Sequence, residues 1–126
     1  MSKVLIADDS RFQVAALSKS LEEVGFEVVS ALDALQAWMT ALRAAPDAIV
    51  LDINMPGGSG IEVLKRLRIS AKTQHMPVIV VSGSTEPAIE QLAKHLGAAE
   101  FLHKPVDSRQ LCDTLSHLLS PKSGRN

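Results

Sequence analysis

Four short apolar runs end in residues that can do chemistry. KVLIA leads into Asp8 and Asp9, DAIVL into Asp52, PVIVV into Ser82, and AEFLH into His103 and Lys104. Each residue alone has an ordinary explanation. Asp8-Asp9 suits a solvated turn or the start of a helix, where negative charge is favoured. Asp52 suits a loop acid, Ser82-Gly83 a turn, and Lys104 a solvated lysine before a bend. Gathered in one place they would mean more. Like charges raise one another's pKa, so three neighbouring carboxylates do not all stay ionised cheaply. One divalent cation and one ammonium would cancel the three negative charges. Carboxylates with a backbone carbonyl are hard oxygen ligands and suit Mg²⁺. Lys104 offers a point charge to a phosphoryl oxygen, and the Ser82 hydroxyl can donate to another. No histidine is placed as a base to activate water. That leaves Asp52 as a nucleophile that accepts a phosphoryl group as an acyl phosphate.

Whether these groups meet depends on the elements that carry them. The apolar runs are Lys3–Ala7, Phe26–Ser30, Asp47–Leu51, Pro77–Val81 and Ala99–His103. Three are nearly all apolar and rich in Val or Ile, which suits strands covered on both faces of a parallel sheet. FEVVS carries a glutamate in its middle and belongs at an edge. Between the runs the spacing turns helical: Val14, Leu17, Leu21 and Val24; Leu35, Trp38, Met39 and Leu42; Ile61, Leu64 and Leu67; Ile89, Leu92, Ala93 and Leu96; Leu111, Leu115 and Leu118. Ser10 with Gln13 and Ser59 with Glu62 fit the capping box, and Asp33 with Gln36 and Asp107 with Gln110 resemble it. Gly25 and Gly97 suit left-handed C-caps, and Pro46 ends the second helix. The alternation predicts an α/β fold: a three-layer, doubly wound (βα)5 parallel sheet with right-handed crossovers. Ligands of such sheets bind beyond the carboxyl ends of the strands, where four runs place Asp8, Asp9, Asp52, Ser82 and Lys104. The second run ends blandly at Ser30-Ala31.

The bulk numbers agree. The 126 residues suit one domain. A hydrophobic content of 46% with 21% charged residues builds a core. With 13 basic against 14 acidic residues, broad electrostatic binding to nucleic acid or an anionic membrane is not expected. The lone Cys112 allows no internal disulfide and points to a reducing compartment. No segment reaches the ~20 apolar residues of a membrane span, so a cytoplasmic protein is expected. Residues 1–120 read as one domain, and 121–126 as a flexible tail or the start of a linker.

Asp8-Asp9, Asp52 with Met55-Pro56 and Gly60, Ser82-Gly83, Phe101 and Lys104-Pro105 together resemble the receiver domain of two-component response regulators. The likeness runs from Lys3 to Leu119. It implies a flavodoxin-like sheet of strand order 2-1-3-4-5. It implies that Asp52 is the phosphoacceptor, exposed at its strand tip so that a phosphohistidine can reach it. Asp9 and Asp52 would bind Mg²⁺ with the Asn54 carbonyl, and Asp8 through water. Lys104 would bind the phosphoryl group, with a cis bond to Pro105. Ser82 would move toward that group, and Phe101 would follow inward. The signal would then reach the face built from the fourth helix, fifth strand and fifth helix, where a downstream protein binds. Such a protein is a signalling switch rather than an enzyme, although it catalyses its own phosphorylation and dephosphorylation. It reads as stand-alone and chemotaxis-regulator-like. The implied partners are a sensor histidine kinase or phosphotransfer protein and a downstream target, with no direct nucleic acid or membrane binding, as a monomer or a phosphorylation-linked dimer. Two departures stand out. Phe101 lacks the hydroxyl of the tyrosine often found there, and Gly58 replaces a bulkier apolar residue. Asn54 and Ser84 occupy positions that influence hydrolysis of the acyl phosphate.

Three rival readings remain. A flavodoxin-like electron carrier shares the fold, but Asp8-Asp9 would repel a flavin phosphate. An aspartate-nucleophile phosphatase would carry a second aspartate two residues after the first, where this chain has Asn54. A receiver-shaped docking module would never accept phosphate. Trp38 and Cys112 read as packing residues, and His103 as lining a strand end.

Overall fold

The computed structural model describes residues 2–55 and 58–120. Pro56, Gly57 and the expected tail at 121–126 lie outside the described residues. In chain order the elements are β1 (Lys3–Ala7), α1 (Arg11–Glu23), β2 (Glu27–Ala31), α2 (Ala34–Ala44), β3 (Ala48–Asp52), α3 (Gly60–Ile69), β4 (Val78–Ser82), α4 (Pro87–His95), β5 (Glu100–His103) and α5 (Ser108–Leu118). A short two-stranded antiparallel ribbon, Asn54–Met55 with Gly58–Ser59, sits between β3 and α3. The five strands form one sheet in the order β2-β1-β3-β4-β5, every neighbouring pair parallel. This is the expected architecture. Strands β2 to β4 run one residue later than their apolar runs, so Asp52 and Ser82 are the last residues of β3 and β4 rather than the first of loops.

Side chains alternate across the sheet and build a core on each face. Val4, Ile6, Val50 and Ile79 pack with Val14, Leu17 and Leu21 of α1 and Leu111 and Leu115 of α5. Leu5, Ala7, Ile49, Leu51, Val78 and Val80 pack with residues of α2, α3 and α4. Cys112 lies half-buried at the α1–α5 seam, where burial first and Asp113 second push its thiol pKa up. Behind α3, the buried Thr73 hydroxyl donates to the Leu67 carbonyl at 2.8 Å. Arg68 ties down the same loop by donating to the Gln74 and Met76 carbonyls at 2.6 and 2.8 Å.

Two expectations need correction. The face that α2 buries is Ala34, Ala37 and Ala41, not the bulky stripe. Leu35 is 60% exposed, Met39 also faces out, and Trp38 is only partly buried. The Arg66 guanidinium lies 5.3 Å from the Trp38 ring centroid. Alanines let the helix axis approach the sheet closely, and the larger side chains rotate away from the contact. A similar substitution occurs in α4, where Ala93 is its fully buried residue and Leu92 is 38% exposed. The capping boxes are also only half formed. Ser10, Asp33 and Ser59 accept from the backbone as expected, but the return bonds go elsewhere. The Ser10 amide donates to Asp8, and Gln36 accepts from Leu32 rather than Asp33. Glu62 pairs with Lys65 instead. Asp107 caps the amide of Arg109, not that of Gln110. Gly25 and Gly97 do adopt positive φ, at 100° and 91°, and Ala45 joins them at 48° ahead of Pro46. The right-handed helical conformation is disfavoured for a residue before proline.

The α2 packing makes a clear forecast. Ala41→Leu should cost about 1–3 kcal/mol by overpacking, whereas Leu35→Gln should stay within about 0.5 kcal/mol of wild type. Urea denaturation monitored by Trp38 fluorescence measures both, and equal losses would contradict the alanine interface.

Candidate functional site

The carboxyl ends of β1, β3, β4 and β5 gather the groups anticipated from the sequence. At three of them the local geometry is the same. Asp8 Oδ1 accepts from the Ser10 amide at 2.9 Å, Asp52 Oδ1 from the Asn54 amide at 3.3 Å, and Ser82 Oγ from the Ser84 amide at 3.0 Å. Each side chain thus bends back over its own loop, two residues on. In the two aspartates this fixes one oxygen and presents the other. Asp52 Oδ2 lies 3.2 Å from Lys104 Nζ, and Asp8 Oδ2 lies 3.7 Å from the same nitrogen. The lysine is positioned from its own backbone, whose amide donates to the Ser82 carbonyl at 2.9 Å. Its peptide bond to Pro105 is cis.

Asp52 was expected to be exposed at the strand tip. It is 2% exposed, and Asp8 is buried too. β3 runs one residue further than its apolar run, which draws Asp52 into the sheet between Asp8 and Lys104. The open acid of the cluster is Asp9. Burial raises the Asp52 pKa above its ordinary value. Lys104 and the Asn54 amide pull it down, and Asp8 pushes it further up. Lys104 meets Asp52 Oδ2 as a charge contact rather than a well-aligned hydrogen bond. That oxygen, out of reach of solvent, has no donor. One carboxylate oxygen from each of Asp8, Asp9 and Asp52 lies within 4.8 Å of the other two. A cluster of hard oxygens containing one unsatisfied buried oxygen fits a hard divalent cation such as Mg²⁺.

The start of α3 closes the site from below. The Gly60 amide donates to the Ile53 carbonyl at 2.7 Å. A methyl group on Gly60 would run into the Asp52 carbonyl and come within 2.8 Å of Ile53 Cα. Only glycine lets the helix rest on β3. Phe101 was expected to turn inward only on activation. Here it is already inside, 8% exposed, in the core under α2, α3 and α4. Its ring meets His103 edge-on at 5.2 Å. His103 does stand at the strand end but is exposed, and its Nε2 lies 3.7 Å from Glu90 of α4. A depression of about 400 Å³ lined by Ser10, Gln13, Lys104 and Pro105 opens beside the lysine.

Two features escaped the sequence reading. Ser84 Oγ accepts from the Glu86 amide at 3.1 Å, which extends the Ser82 turn toward α4. The Ser-x-Glu spacing before Pro87 carried that signal. Glu90 bridges His103 and, at 3.3 Å, Lys94, and nothing in the sequence paired residues from separate elements.

Comparison with known proteins came to the same place. Residues 4–116 match the family described as response regulator receiver domain. Protein PilH of Pseudomonas aeruginosa is 32% identical over 120 residues, covering 95% of this chain and 99% of PilH. Transcriptional regulatory protein PrrA of Mycobacterium tuberculosis is 37% identical over 117 residues, which cover 93% of this chain and 49% of PrrA. Chemotaxis response regulator CheY4 of Vibrio cholerae has a solved structure that superimposes with a TM-score of 0.87 at 34% identity, covering 94% of this chain and 99% of that one.

The raised Asp52 pKa fixes the sign of one effect. Above its folded pKa the ionised, buried Asp52 is a cost to folding. The cost fades as pH falls through that value and is gone below the ordinary carboxylate pKa of the unfolded chain. In metal-free buffer Asp52→Asn should therefore raise Tm at pH 7, and the gain should shrink toward pH 4. Added Mg²⁺ should raise the Tm of wild type and leave Asp52→Asn nearly unmoved. Thermal melts across pH and Mg²⁺ concentration read both.

Proposed function

The chain belongs to the response regulator receiver domain family, and on that premise we propose that it is a phosphorylation-dependent signalling switch with Asp52 as acceptor. The observation that carries the reading is the pairing of a buried Asp52, one oxygen lacking a donor, with the Lys104 ammonium 3.2 Å away. In the proposed step a carboxylate oxygen of Asp52 attacks the phosphorus of a phosphohistidine. The O–P bond forms, the N–P bond breaks, and the departing imidazole keeps the electron pair and takes up a proton. Asp52 must be ionised to attack. Lys104 meets the charge on the incoming phosphoryl oxygens, and the Ser82 hydroxyl donates its hydrogen to one of them. The Asn54 amide holds the other carboxylate oxygen and fixes the direction of attack. Mg²⁺ would be held by Asp9, Asp52 and the Asn54 carbonyl, with Asp8 reached through water, and would neutralise charge on the transferred group. The donor is a sensor histidine kinase or a phosphotransfer protein. The setting is the cytoplasm, where the free Cys112 thiol stays reduced.

The output surface in this reading is the face of α4, β5 and α5. Turning Ser82 toward a phosphoryl group gives up the bond from the Ser84 amide, and Ser84 in turn holds Glu86 at the foot of α4. Phe101 already sits inward, so phosphorylation would secure the ring there rather than bring it in. Taking the active arrangement from 1:99 to 99:1 requires about 5.5 kcal/mol of differential stabilisation. One or two charge-assisted hydrogen bonds in a partly desolvated site, with one secured aromatic, reach that order.

Two measurements test this. With a small-molecule phosphodonor and Mg²⁺, intact mass should show one added phosphoryl group on wild type and none on Asp52→Asn. Equal uptake by both would reject the acceptor. Phe101→Ala should take up phosphate like wild type, but its amide NMR shifts in α4, β5 and α5 on phosphorylation should shrink. Shifts of full size would refute the aromatic relay.

A further inference from the structure

The net charge of -1 conceals a strong separation. Residues 22–27 carry Glu22, Glu23 and Glu27 and no base, while residues 65–72 carry Lys65, Arg66, Arg68 and Lys72, of which only Lys65 has an acidic partner, the exposed Glu62 at 3.5 Å, among the described residues. The fold turns these stretches into two patches on opposite faces of the sheet, since α1 packs on one side and α3 on the other.

The acidic patch is a knob at the end of α1. Val24 stands 58% exposed at its tip. Glu22 and Glu23 both lie in the last turn, the end of a helix where negative charge is disfavoured. None of the three glutamates has an ion-pair partner among the described residues. Lys19 is nearby on the same helix, and Arg109 and Asp113 of α5 line the depression beside Val24. The balance at this end remains negative.

The basic patch is a socket. A depression of about 500 Å³ between the C-terminal ends of α3 and α4 is lined by Lys65, Arg68, Ile69, His95, Leu96 and Gly97. Ile69 is 84% exposed at its rim. Gly97 keeps the floor open: a Cβ there would lie 3.3 Å from the Arg68 side chain. Arg68 donates to two neutral carbonyls, and no carboxylate pairs with it among the described residues. Burial lowers its pKa. An uncompensated guanidinium beside an exposed aliphatic side chain favours an occupant that brings carboxylates next to an apolar tip.

We propose that the occupant is a second copy of this chain, whose Glu22-Glu23-Val24 knob seats in the Lys65–Ile69 socket between α3 and α4. Knob and socket lie on opposite faces, so one molecule cannot satisfy both within itself. The contact is head-to-tail: each copy keeps a free knob at one end and a free socket at the other, and association grows into short chains. It is independent of Asp52 phosphorylation and of the α4, β5 and α5 face.

Sedimentation equilibrium of the full chain, without Mg²⁺ or phosphodonor, tests the idea. At low salt the average mass should rise with concentration from 13.5 kDa past the dimer without a plateau, and 0.5 M NaCl should suppress the rise. A knob variant (Glu22→Gln, Glu23→Gln, Val24→Ser) and a socket variant (Lys65→Gln, Ile69→Ser) should each lose association by roughly tenfold or more. All five positions are outside the core, and circular dichroism checks that both variants fold. Mixed one to one, the two variants should recover a heterodimer and stop there, because one retains the socket and the other the knob. A wild type that stays at monomer mass overturns the proposal. So does a plateau at the dimer that survives in both variants, or a mixture that remains monomeric. If wild type stays monomeric while a peptide of alternating Glu and Leu shifts the Lys65–Ile69 amides, the socket belongs to a foreign acidic partner and self-docking is rejected. Phosphate uptake by the same variants reports separately on the reading of Asp52.

Discussion

The site rests on one unequal arrangement: a single lysine ammonium facing two buried carboxylates. Lys104 lies 3.2 Å from Asp52 and 3.7 Å from Asp8, and one positive charge does not balance two negative ones withdrawn from water. The shortfall appears in the raised pKa of Asp52 and in its oxygen without a donor. A fully satisfied trio would be a stable structural ion pair with nothing left to do. This one is held short of satisfaction by the loops around it, each of which ties down the far oxygen of its own aspartate. The incomplete electrostatics leave a pocket whose hard oxygens suit a divalent cation.

The frame that holds this imbalance is rigid where it must be. Strand β3, which ends in Asp52, is paired on both sides, to β1 and β4, and Gly60 seats the next helix directly on its backbone. Ser82 serves two connections at once. Its carbonyl receives the Lys104 amide, and its hydroxyl receives that of Ser84. The two bonds use different atoms of Ser82, so the hydroxyl can change partners without breaking the anchor of the lysine. The Glu90 bridge to His103 joins α4 to β5 at the strand end next to that lysine.

Much of this was legible in the sequence because the signals were periodic or terminal. Alternating apolar runs and helical stripes gave five strands and five helices in order, and strand ends gave the cluster. The failures share a cause. Leu35 and Met39 were assigned to the core because hydrophobicity was read without volume, whereas close helix–sheet contact selected Ala34, Ala37 and Ala41. Asp52 was placed in water because a run of apolar letters ends before it, whereas pairing with Val81 carries the strand one residue further. Phe101 lies in the core in this structure, a placement that strand alternation alone does not reveal. Half-built capping boxes failed for the same reason: Asp8 competes for the Ser10 amide through the fold's own turn, which local spacing does not reveal.

The parallel register has a consequence for how such a site can diversify. Asp52 lies opposite Val81, and Ser82 opposite His103, so neighbouring strands act as the rungs of a fixed ruler with a spacing of about 4.8 Å. Sliding any strand by one step would turn its chemical residue to the wrong side of the sheet. The distances between reacting groups are thus closed to gradual adjustment. Variation is left to residues that hang off the rungs, Asn54 and Ser84 among them, whose side chains can be exchanged while the ruler stays as it is.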